Sequence, residues 1–143
     1  VTTRWWAGAE TESGIKVVHV QCDGDVGAES LANLVAEHGI DKTVSTLLKT
    51  SHPWVGLNWT PEPYHQGLYE PPRYEIIPGF GVKFGVDEPA HIPYHSTDKP
   101  IYWDIEYVAI IMADGKTIKW CHKGVTKGRR QWRTQKWEEM ALP

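Results

Sequence analysis

Apolar positions along this chain change period several times, and each change predicts an element. Residues 15–20 alternate in the two-residue rhythm of a strand, with Val17 and His19 on one face and Val18 and Val20 on the other. Residues 2–7 read as its partner across a polar turn at 10–14. A second polar turn, 22–27, precedes a helical pattern. Over residues 28–38, Leu31, Leu34, Val35 and His38 recur at i, i+3, i+4 and i+7, and Gly39 stands where a C-cap glycine belongs. Asp41 then predicts the N-cap of a second helix over 42–49, with Val44, Leu47 and Leu48 inward.

From 50 to 72 the periodicity dissolves. Pro53, Pro61, Pro63, Pro71 and Pro72 exclude a long helix, and Trp54, Trp59, Tyr64 and Tyr69 are interleaved among them. A loop of that length in a small domain points to function. Residues 74–77 and 80–86 read as strands around Pro78-Gly79, and 87–100 as a second loop rich in Pro and His. Residues 101–112 form the strongest strand pattern. Ala113-Asp114-Gly115 then turns the chain into a strand at 116–121. The tail predicts a helix from about 129 to 140. These elements imply an α+β fold in a single domain spanning 1–143. It is an antiparallel β-sheet with two short helices inserted after an N-terminal hairpin, and a basic C-terminal segment.

Composition fits this picture: 41% hydrophobic and 23% charged residues are those of a globular chain with a real core. No apolar run approaches the ~20 residues of a membrane span. The opening residues lack the basic and apolar regions of a secretory leader, so Cys22 and Cys121 are expected as reduced thiols, in a cytoplasmic setting.

Charge changes the picture more. Lys116, Lys119, Lys123, Lys127, Arg129, Arg130, Arg133 and Lys136 fall in one stretch without an acidic residue, while residues 1–115 hold seven Lys/Arg against sixteen Asp/Glu. Such a segment either binds an anion or docks on the acidic body of its own or a neighbouring subunit. Trp132 lies inside it, and aromatics among basic residues can stack on bases. The expected binding residues are therefore Lys119, Lys123, Lys127, Arg129, Arg130, Trp132 and Arg133 for charge, with Trp54 and Trp59 of the proline-rich loop supplying contact area.

Catalytic readings are thinner. His91, His95 and Asp98 place imidazoles and a carboxylate in one loop, a set able to hold a transition metal or move protons. His95-Ser96-Thr97 fits one half of a two-histidine phosphoesterase pattern, but no second His-x-Thr/Ser occurs. His19, Cys22, Cys121 and His122 are four zinc-type ligands without finger spacing. Asp23-Gly24-Asp25-Val26-Gly27 carries two carboxylates that repel phosphate, so it reads as a helix-capping turn. No cofactor or metal is assigned.

Val17-Val18-His19-Val20 with Asp23-Gly24 and Gly27 after it, then a Leu-rich helix, resembles a set of small proteins of tailed phages of actinobacteria. Glu106-Tyr107-Val108 through Asp114-Gly115 and Trp120 resembles their closing segment. The two stretches cover about two fifths of the chain. The resemblance implies phage origin and a role in the cytoplasm of an infected host cell; it brings no catalytic or binding residues. Val1, where Met is usual, reads either as a GUG start codon, which agrees with this resemblance, or as the end of a trimmed chain.

The expected function is thus a phage accessory protein that acts by binding. Its partner would be a host protein, a nucleic acid or an anionic nucleotide-like ligand, and no membrane is involved. Two other readings stand beside it: a hydrolase on His91, His95 and Asp98, or a self-assembling virion protein.

Overall fold

The computed structural model describes residues 3–49, 52–85, 100–102, 104–124, 132 and 135–143. The chain opens with β1 (Trp5–Thr11) and β2 (Gly14–Val20), an antiparallel hairpin. Its turn is shorter than the sequence suggests. Thr11 Oγ1 donates to Gly14 O at 2.7 Å and accepts from Ser13 N–H at 3.2 Å, so the strands run to residues 11 and 14.

A 3-10 turn at Gly24–Val26 leads into α1 (Gly27–His38) and α2 (Ile40–Leu48). Gly39 separates the two helices at φ 83°, backbone that L side chains rarely adopt. It also serves as the N-cap of α2, with its carbonyl accepting from Thr43 N–H at 3.1 Å. Asp41, expected in that role, sits one residue inside the helix, where its charge faces the positive end of the helix dipole.

The proline-rich stretch contains a strand that its periodicity hides. Trp54–Leu57 is β3, all four residues buried. Next comes a 3-10 helix at Pro63–Leu68, then β4 (Tyr74–Ile77), β5 (Gly81–Phe84), β6 (Tyr107–Ile111), β7 (Thr117–His122) and β8 (Glu138–Ala141). Among the described residues the strands form one eight-stranded sheet in the order β4-β5-β3-β2-β1-β6-β7-β8. β1 with β6 and β2 with β3 pair in parallel, and the other pairings are antiparallel. The α+β class holds.

Two expectations along the chain are corrected. The strand forecast from 101 begins at 107, because Ile105 N–H turns back to Tyr102 O and Glu106 N–H is taken by Arg4 O. The forecast C-terminal helix is absent from the described residues. Residues 138–141 pair antiparallel with β7, so Trp120 stands opposite Glu138 and Ile118 opposite Met140. Sheet pairing wins where the tail's apolar residues make no helical stripe.

Strand alternation sends the core to both faces. Trp5, Ala7, Val18, Val20, Trp54, Ala109, Ile111 and Ile118 face the helices and pack with Leu31, Leu34 and Leu47. Trp6, Val17, Val108, Ile110 and Cys121 face the other way and are covered by Ile101, Ile105 and Trp132. No helix among the described residues is long and apolar enough to cross a membrane.

Candidate binding surface

Within the described part of the basic segment, Lys119, Lys123 and Trp132 are engaged in packing. Trp132 is 7% exposed. Its ring stacks on Trp6 at 5.8 Å and on Trp137 at 5.9 Å, and Trp137 Nε1–H donates to Trp132 O at 3.0 Å. Tyr102 meets Trp6 edge-on at 5.3 Å. Lys119 lies over Trp137, its Nζ 5.8 Å from the ring centroid, and stands opposite Glu139 in the β7–β8 register. A cation so placed is already served by a ring face. Lys123 is 8% exposed, and its ammonium donates to Gly124 O at 3.1 Å. Lys116 and Lys136 are exposed. Lys127, Arg129, Arg130 and Arg133 lie outside the described residues.

Trp54, expected to supply contact surface, does not. It is 1% exposed, faces the helices, and packs on Phe80 with ring centroids 5.4 Å apart. Its Nε1–H donates to Leu47 O at 3.2 Å, so the indole's polar group is satisfied indoors. β3 and the α2 C-terminus meet through this side chain.

Trp59 is at the surface, as expected, and is part of a larger arrangement. Gly56 and Val82 face away from the helices, and the Trp59 ring lies over Gly56, where a β-carbon would come within 3.3 Å of Cε3. Trp59 meets Tyr69 edge-to-face at 5.3 Å, Tyr69 meets Tyr74 at 5.3 Å, and Tyr74 meets Phe84 at 5.6 Å. These contacts fasten the loop to the sheet ring by ring. Backbone bonds hold it further: Asn58 N–H to Phe80 O at 2.7 Å, His65 N–H to Glu62 O at 2.8 Å, and Tyr74 N–H to Glu70 O at 3.1 Å. Gln66 Nε2 donates to Pro61 O at 3.2 Å.

On this frame the 3-10 helix turns its large side chains outward. Tyr64 is 77% exposed, Leu68 68% and Trp59 36%. With Val26 and Tyr102 they are the exposed large apolar side chains among the described residues, and three of these five fall within one ten-residue stretch. A grouped apolar surface rich in Tyr and Trp has the composition of a binding hot spot. Searches against protein-family models, curated proteins and solved structures find no match. The surface is therefore read from its own chemistry.

The other chemical candidates are dispersed by the fold or lie beyond it. His91, His95 and Asp98 are outside the described residues. The His19, Cys22, Cys121, His122 set is split between β2 and β7, which β1 and β6 separate. Three strand spacings amount to about 14 Å, too far for a shared zinc. Among the described residues no three His, Cys, Asp or Glu side chains are grouped to hold a metal. Both cysteines are free; burial raises the Cys22 thiol, with Asp23 adding to it, and pushes Cys121 up to about 12. His122 stacks on Tyr107 at 4.3 Å. The Tyr107 hydroxyl is raised first by burial, then by Asp25 and Glu106.

Sequence reasoning picks out the proline-rich loop with its Trp and Tyr residues, but the binding residues it numbers there are the interior Trp54 and the exposed Trp59, without Tyr64 or Leu68. The missed signal is the run Trp54-Val55-Gly56-Leu57, apolar and ended by Asn58 at φ 52°. Read as a strand, it buries Trp54 and brings residues 59–69 to the surface.

Proposed function

We propose that this protein acts by binding another protein, with the aromatic surface of residues 59–69 as its contact area. The observation that supports this most is the outward placement of Tyr64, Leu68 and Trp59 on a loop fastened to the sheet by ring contacts. A loop held in place before binding loses little conformational entropy on association. With the phage origin that the sequence resemblance implies, the partner would be a host protein in the cytoplasm of the infected cell.

The expected outcome is that Tyr64→Ser with Leu68→Ser abolishes affinity capture of a specific protein from host extract, with the fold unchanged. Both side chains are exposed, so the fold does not depend on them. Equal capture by the wild type and the double variant would refute the reading.

A second reading keeps the basic segment as the binding element, directed at a nucleic acid or an anionic nucleotide-like ligand. Gly124 and Trp132, which flank residues 125–131, are both anchored to the sheet, Gly124 through Glu106 O at 3.3 Å and Trp132 through Trp6. That segment carries Lys127, Arg129 and Arg130. Arg129→Glu with Arg130→Glu would then abolish salt-sensitive oligonucleotide binding. Unchanged binding would remove this reading.

A further inference from the structure

Resting on the first reading above, we infer that the aromatic loop receives a cationic side chain, the Arg or Lys of an extended segment of the partner protein. Charge complementarity carries this. No Lys or Arg occurs between Lys49 and Arg73. The loop instead contributes two exposed carboxylates, Glu62 and Glu70. Among the described residues neither has an ion-pair partner, whereas Glu75 close by is matched by Lys83 at 3.4 Å.

The carboxylates flank the 3-10 helix that carries Tyr64 and Leu68. Glu62 lies two residues before Tyr64, at the N-cap of the 3-10 helix. Glu70 comes directly after Tyr69, and its Oε1 lies 3.8 Å from where a Gly67 β-carbon would be. Ring faces are the negative ends of aromatic quadrupoles, so rings and carboxylates attract the same charge. Trp59 and Tyr64 offer exposed ring surface, Tyr64 with the His65 ring 4.2 Å away on one side, and Glu62 and Glu70 offer oxygens for charge-assisted hydrogen bonds. The molecule uses a cation–ring pairing itself: the Arg73 guanidinium sits 5.4 Å from the centre of the Tyr74 ring, within the same ring series. An arginine from a partner would repeat the arrangement at the exposed rings. An anionic partner would meet two unmatched carboxylates.

The test is a two-dimensional amide and indole NMR titration of the full chain with three probes at low salt: a hexa-arginine peptide, a hexa-glutamate peptide and an oligodeoxythymidine. The expected result is a saturable shift of the Trp59 indole N–H and the Gly67 and Leu68 amides with hexa-arginine alone. Glu62→Gln with Glu70→Gln should weaken that binding roughly three- to tenfold. The Trp5 and Trp54 indole signals, both interior, should stay in place and show that the variant is folded.

Shifts confined to other parts of the surface would overturn the inference. So would equal shifts with hexa-glutamate or the oligonucleotide, or an undiminished affinity in the double variant. If Tyr64→Ser with Leu68→Ser loses its captured protein while hexa-arginine leaves the loop signals unmoved, the binding surface stands and its preference for cations is refuted.

Discussion

Gly27 lies so close to Trp5 that a β-carbon there would stand 2.7 Å from both Cε3 and Cζ3 of the indole. The first turn of α1 rests on that ring, and Trp5 Nε1–H donates to Cys22 O at 2.8 Å, tying down the turn before the helix. The Asp-Gly-x-x-Gly stretch thus works as a seat for a tryptophan. Gly24 belongs to the same seat, with a would-be β-carbon 3.0 Å from Trp5 Cβ. Gly27→Ala is expected to cost about 1–3 kcal/mol, the usual range for overpacking. Urea unfolding checks this: the midpoint should fall and the slope should stay the same.

Trp132 is the middle ring of the Trp6–Trp132–Trp137 stack and holds the C-terminal segment over the sheet. Trp132→Ala is expected to destabilise the protein by roughly 3–5 kcal/mol. Trp132→Phe keeps a ring in the stack and should lose less than half as much. Thermal unfolding of the two variants distinguishes stacking from simple presence of the segment.

Cys121 provides a pH test whose sign is fixed. Burial raises its thiol from 9.0 to about 12, so the folded protein holds this proton more tightly than the unfolded chain does. Its contribution to stability is complete below 9.0 and is lost as pH climbs towards 12. The slope approaches about 1.4 kcal/mol per pH unit in that window. Cys121→Val should remove most of this slope in alkaline urea melts. Tyr107, raised in the same direction from 10.0, supplies a residual decline. Thiol reagents at roughly pH 8 should modify half-buried Cys22 and spare Cys121 until the protein unfolds.

Local periodicity made the two helices, the first hairpin and the Asp114 turn legible. Leu31, Leu34 and Val35 are all buried as the helical spacing required. The Asp114 carboxylate accepts from Lys116 N–H at 2.8 Å and from Thr117 N–H at 3.1 Å, as its position in the turn suggested. Non-local pairings were not legible. β3 is short and interrupted by Gly56, and only its place between β2 and β5 makes it a strand. Glu138–Ala141 has no strand-like alternation of its own and is ordered by β7.

The candidate surface was half legible for the same reason. Interleaved aromatics and prolines single out the loop as a candidate, but tertiary packing decides which rings face inward. Trp54 and Trp59 look alike in the sequence, and one fills the core while the other caps Gly56. The basic residues Lys119 and Lys123 read as free charges until the ring and carbonyl they serve are seen.

The most direct measurement is site-specific photo-crosslinking in cells of the proposed host, with a benzophenone amino acid in place of Tyr64 in one protein and of Lys42 in another. Both positions are exposed, but Lys42 is on α2, which packs on the helix-side core, whereas the aromatic loop is fastened through Tyr69 to Tyr74 and Phe84 on the other face. The predicted result is one discrete protein adduct from position 64, absent from position 42 and lost when Leu68→Ser is added. Adducts of equal yield from both positions, or none from position 64, would contradict the assignment of this loop as the binding surface.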